Sequence, residues 1–132
     1  MMPQPSVTRR YWIYRILALF WMAAIYWLSS KQSLPAPDLF WGQDKIEHAV
    51  VFGVLGMLFA LSFKPVQGKS RMKRLLILTL LVALYGISDE FHQYFVPGRE
   101  SDVIDALADF IGILLASLFF FYSRKYASAK KS

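Results

Sequence analysis

The sequence has no cysteine, which excludes disulfides and thiolate metal sites and leaves no trace of the redox compartment. It has no G-x-S-x-G elbow, no Walker loop, and no H-x-x-x-H or H-E-x-x-H pair. Charge is scarce: 18% of residues are charged, against 56% hydrophobic and 17% aromatic, and the mean hydropathy is +0.38. A chain of 132 residues cannot bury so much apolar surface in a water-soluble core of its own. The composition therefore points to lipid, and the reading is a single membrane domain over residues 1–132.

What is present falls into four apolar runs. The first, 11–28, is interrupted only by Arg15, whose stem can snorkel toward headgroups. A cleaved signal peptide is the alternative. Three tryptophans and the lack of an A-x-A site near residues 29–33 favour a retained helix. Residues 33–42, with Pro35 and Pro37, read as a loop in which Phe40 and Trp41 suit the membrane interface. Asp44 is the expected cap of a second helix over 45–63, which Lys64-Pro65 ends. A basic loop leads to a third helix over 75–94. Pro97-Gly98 makes a turn, and a fourth helix over 102–123 precedes a basic tail. The predicted fold is all-α: a four-helix transmembrane bundle with N and C termini cytoplasmic.

Charge sign supports this orientation. Twelve of the fifteen basic residues fall on the expected cytoplasmic side, leaving only Lys31, Lys45 and Arg99 outside. All nine acids and both histidines fall on the other side. The formal net charge of +6 thus follows from topology, and nucleic acid is not an expected partner. The expected location is the bacterial cytoplasmic (inner) membrane, with several passes.

Span lengths sharpen the argument. A bilayer core of about 30 Å needs about 20 helical residues, but the uncharged runs 49–63, 75–88 and 110–123 hold only 15, 14 and 14. Each span must therefore draw charged outer turns into the membrane edge. Counting from the basic ends puts His48, Asp89, His92, Asp105 and Asp109 in one layer, about 5–10 Å beneath the outer surface. Ionisable groups at such depth mark a functional site by default.

Within that layer, Asp44 and His48 share a face at i, i+4, and Lys45 neighbours His48 at i, i+3. Asp89 stacks with His92 and Gln93. A carboxylate beside an imidazole suits general acid–base chemistry or support of a metal ligand, and a structural ion pair between helices is the alternative. Glu90 points about 100° away and has the weaker claim. Asp102, Asp105 and Asp109 form one acidic stripe, with Asp102 a candidate cap. Arg99 could clamp an anion through its planar fork or neutralise the acids around it. A divalent metal is a candidate cofactor, with His48, His92 and Asp105 as candidate ligands. Gly53, Gly56 and Gly112 allow helices to approach closely.

At these residues the sequence resembles the VanZ-like family of small bacterial membrane proteins, named for an accessory protein of teicoplanin resistance. The pattern is Asp44-Lys45-x-x-His48, Asp89-Glu90-x-His92-Gln93, Pro97-Gly98-Arg99, then Asp105 and Gly112, with Leu28-Ser29-Ser30 closing the first span. Two positions depart from it: Asp109 stands where the family more often has asparagine, and Phe52 where tyrosine is common. The resemblance implies a polytopic cell-envelope protein and does not entail glycopeptide resistance.

Two functions are expected to compete. In the first, the protein binds or processes an amphiphilic, anionic lipid or lipid-linked cell-wall precursor at the outer leaflet. His92 would be the base, oriented by Asp89 and completed by His48 and Asp105, with Arg99, Lys45, Gln93 and Asp109 contacting substrate. In the second, a non-enzymatic envelope protein gives teicoplanin-type tolerance and the polar layer is structural. A proton- or ion-coupled carrier ranks behind both, because four short spans lack an inverted repeat.

Overall fold

The computed structural model describes residues 5–32, 39–64, 66 and 68–129. Pro35, Pro37 and Asp38 of the expected loop, Pro65, and the tail lysines Lys130 and Lys131 lie outside the described residues. The described chain is four α-helices without a strand: α1 (Pro5–Ser29), α2 (Gln43–Leu61), α3 (Lys69–Tyr94) and α4 (Val103–Ala129). Three of them are long and apolar enough to cross a membrane, over Arg9–Ser29, Lys69–Tyr94 and Val103–Ser123. α2 has 19 residues and carries Asp44, Lys45 and Glu47 in its opening turns, which sets it apart from these three.

α1 and α3 both begin earlier than their apolar runs, at Pro5 and Lys69. The basic residues before each run have good helix propensity, and nothing breaks the helix there. α2 starts differently from expectation. Gly42, with φ +82°, is its N-cap and Asp44 sits in the first turn, paired with Lys45 at 2.8 Å. Asp102 does cap α4, accepting the Ile104 backbone N–H at 2.9 Å. The Ile104 N–H and the Lys45 ammonium hold the Asp102 carboxyl below its ordinary range. Between α3 and α4, Arg99 N–H donates to Val96 O at 3.1 Å across Pro97-Gly98, and Gly98 has φ +79°. Proline followed by a positive-φ glycine is the signature of a type II turn.

Cross-links order the helices up and down. In the first half of α1, Arg15 donates to Ser62 O just past the end of α2 (3.2 Å), satisfying a carbonyl that the helix leaves free. At its other end, Ser29 meets Asp89 near the end of α3. Arg71, early in α3, donates to Phe121 O late in α4 and stacks on the Phe121 ring. One end of the bundle is therefore basic and the other holds the described acids and both histidines.

The packing is inside-out relative to a soluble bundle. Ile25, Phe52, Leu55, Val82 and Ile113 form a small core to which every helix contributes. Outside it, long apolar stripes face away from the protein, such as Leu76, Leu80, Leu84, Ile87 and Phe91 on α3, or Leu107, Ile111, Leu115 and Phe119 on α4. Apolar exposure on this scale marks a lipid-facing surface. The chain is a membrane protein.

The tightest joint is between α2 and α4. A Cβ on Gly112 would overlap the Ala49 backbone, and one on Gly53 would lie 3.2 Å from Gly112 O. Bare backbones therefore touch, as small residues permit in membrane helix pairs. That contact sits one turn from His48 and Asp109 and sets their separation.

Candidate functional site

The end of the bundle that holds the acids divides into two groups. The first lies among α2, α3 and α4. His48 Nδ1 is 3.0 Å from Asp109 Oδ1 and 3.7 Å from Glu90 Oε1, and Nε2 is 4.0 Å from Asp105 Oδ2. Lys45 Nζ lies 2.6 Å from Asp105, 3.0 Å from Asp102 and 2.8 Å from Asp44. Three of these carboxylates are deep: the Asp109 side chain is 2% exposed, and those of Glu90 and Asp105 are 8% exposed. Phe52 lies parallel to the imidazole at 6.5 Å and closes the site on its inner side.

Hydrogen bonding in this group is incomplete. Glu90 Oε2 accepts from Asp102 N–H and Ser101 Oγ–H at 3.3 and 3.4 Å. Glu90 Oε1 and Asp109 Oδ2, both buried, have no hydrogen-bond donor among the described residues. A buried carboxylate oxygen without a donor is costly, so each marks a place where a proton or a cation would be stabilised.

The second group ties α3 to the end of α1. Asp89 Oδ2 accepts from Ser29 Oγ–H at 2.8 Å and from Gln93 Nε2–H at 3.1 Å, and Gln93 also donates to Ser29 Oγ at 3.3 Å. His92 Nε2 is 2.9 Å from Ser30 Oγ and its ring stacks on Tyr26 at 4.6 Å. Arg99 donates from Nε to Lys31 O (3.0 Å) and from an η nitrogen to Leu28 O (2.9 Å). These are carbonyls at the C-terminal end of α1, where a cation is favoured.

The expected single layer is thus two neighbouring clusters, and several expected roles change. Asp89 hydrogen-bonds Ser29 and Gln93, and His92 bonds Ser30, so Asp89 does not orient His92. The imidazole flanked by carboxylates is His48. Lys45 has its three ammonium protons matched by three carboxylates, while Arg99 spends two of its five N–H donors on backbone carbonyls. Gln93 belongs to the α1–α3 network. Asp109 is the closest partner of His48, and Asp105 bridges His48 and Lys45.

The expected metal ligands change in the same way. His92 is on the α1 side; among the described residues, the three whose donor atoms lie within 4.8 Å of one another are His48, Glu90 and Asp109. Helical spacing alone gives Glu90 the weaker claim. It shares the buried stripe of Leu75, Leu78, Thr79, Val82 and Gly86, and that stripe carried forward reaches both Asp89 and Glu90. A helix packed on two sides can use neighbouring residues for different interfaces. Ser29, the partner of Asp89, carries no signal beyond its place at the end of α1.

No curated protein and no solved structure matches the chain. The VanZ/LLP1 family model matches residues 3–124, nearly the whole length, taking in both clusters, α1 to α3 and most of α4. On that match, and with helices that suit a membrane, the chain belongs to the VanZ/LLP1 family.

Proposed function

We propose that this VanZ-family protein resides in the bacterial cytoplasmic membrane with its basic end in the cytoplasm. There it binds or processes an amphiphilic lipid or lipid-linked precursor at the extracytoplasmic leaflet, through the centre around His48. The observation that carries the reading is an imidazole surrounded by three buried carboxylates at one end of a bundle whose flanks face lipid. Such a centre is expensive to keep in a membrane. Three carboxylates around one imidazole, two of them with a buried oxygen that has no donor among the described residues, exceed what the centre needs to pair with itself. In a reaction, His48 would anchor the centre, held by Asp109 and flanked by Glu90 and Asp105, whose carboxylates are able to take a proton.

The structural reading fits the other cluster. Ser29, Asp89 and Gln93 hydrogen-bond one another across α1 and α3, with Asp89 Oδ1 left without a donor among the described residues, and Arg99 closes the end of α1, so these residues hold the bundle together. This separates the two sets of residues by experiment. With protein extracted in native nanodiscs, bound lipid is identified by mass spectrometry. His48→Ala, checked as folded by circular dichroism, should lose a lipid that co-purifies with the wild type. Ser29→Ala should keep the lipid and melt earlier. A lipid complement identical in wild type and His48→Ala would contradict the proposal and leave the non-enzymatic reading, in which the polar layer serves glycopeptide tolerance or only the fold.

A further inference from the structure

The His48 centre carries more negative charge than its own cations balance. Glu90, Asp105 and Asp109 converge on one imidazole, and among the described residues the only ammonium at hand, Lys45, is shared among Asp105, Asp102 and Asp44. Even with His48 protonated, the buried acids outnumber the cations. A divalent ion with a neutral imidazole would bring the three acids, Lys45 and His48 to neutrality, so the centre is built for a second positive charge.

We propose that His48 Nδ1, Glu90 and Asp109 bind a divalent metal ion. Donors sharing a small cation at bond lengths of about 2.0–2.2 Å stand about 3–3.5 Å apart. The His48–Asp109 and His48–Glu90 separations are 3.0 and 3.7 Å, and all three donors lie within 4.8 Å of one another, so they must draw together by at most an ångström or so to share one ion. Independently of the clustering, Glu90 Oε1 is buried, lacks a hydrogen-bond donor among the described residues, and points at His48 Nδ1. A ligand atom waiting for a cation has these properties.

The surroundings fit as well. His48 Nε2 faces Asp105 Oδ2 at 4.0 Å, the side on which a metal-bound histidine commonly finds a supporting carboxylate. Asp105 is itself anchored by Lys45. Glu90 Oε2 is fixed by Asp102 N–H and Ser101, which leaves Oε1 for the ion. One imidazole and two carboxylates, without sulfur, suit Zn²⁺ or Mn²⁺. Three protein ligands leave coordination positions open for water or for an oxygen of a bound headgroup.

The metal can be measured without any lipid, so it stands or falls separately from the lipid reading. Full-length protein in detergent is stripped with chelator, then titrated with ZnCl₂ or MnCl₂ by calorimetry, with melting temperature and elemental analysis in parallel. The wild type should take up one equivalent and melt higher with it. His48→Ala and Asp109→Asn should bind at least about tenfold more weakly, while His92→Ala, with its imidazole in the other cluster, should bind as the wild type does. Glu90→Gln serves as the ligand variant if either of the others fails to fold. Folded wild type that binds neither ion, or binding that survives in the folded ligand variants, would overturn the site.

Discussion

Asp89 and Glu90 are neighbours in the chain and serve different interfaces, about 100° apart on one helix. Asp89 turns to Ser29 of α1 and Glu90 turns to His48 of α2. Their substitutions should therefore have different effects. Ser29→Ala leaves Asp89 with Gln93 alone and should cost about 1 kcal/mol, typical of one side-chain hydrogen bond between membrane helices. It should leave metal uptake unchanged, and thermal melting with metal titration checks both. Glu90→Gln should weaken metal binding and barely move the melting temperature of the stripped protein. At this scale the residue types of the site were legible in the sequence, since ionisable groups between apolar runs are conspicuous. Their partners were not. Helical spacing puts His92 beside Asp89, but it cannot say that Tyr26 and Ser30 of α1 come to meet the imidazole.

Gly112 governs the joint between α2 and α4 by letting backbones touch. Gly112→Ala places a methyl group into the Ala49 backbone and should cost about 1–3 kcal/mol, the usual range for overpacking. Because the joint sets the distance from His48 to Asp109, the same variant should also weaken metal binding, although residue 112 offers no ligand. Asp102, the cap of α4, gives a pH test. Its carboxyl lies lower in the folded protein than its ordinary value of 3.8, so its charge contributes stability above that value. The contribution disappears as acid takes the pH below the lowered folded value. Asp102→Asn keeps a competent cap and loses only the charge. Melting temperatures of the two proteins should therefore differ near neutrality and converge on acidification below about pH 4. The helices themselves were readable from apolar runs bounded by glycine, proline and charge. Their first turns were less so, because basic residues on α1 and α3 extend a helix as readily as they end an apolar run.

For the whole molecule, composition and charge order carried most of the information. Three helices suit a membrane, one end of the bundle is basic, and the other gathers acids and histidines. What periodicity could not supply was the division of that end into a lock on α1 and a centre among α2, α3 and α4. That depends on which helix sits beside which, and the bare-backbone contact of Gly112 with Ala49 decides it. The absence of native cysteine makes single-cysteine reporters clean. The account's central claim is a water-reachable centre at the extracytoplasmic end. It is tested most directly by labelling His48→Cys in intact cells with a small membrane-impermeant thiol reagent, with Glu100→Cys as the outer control and Arg74→Cys as the inner one. Positions 48 and 100 should react from outside, and position 74 only after permeabilisation. Reaction of position 48 only from the cytoplasmic side, or none from either side while both controls behave, would contradict it.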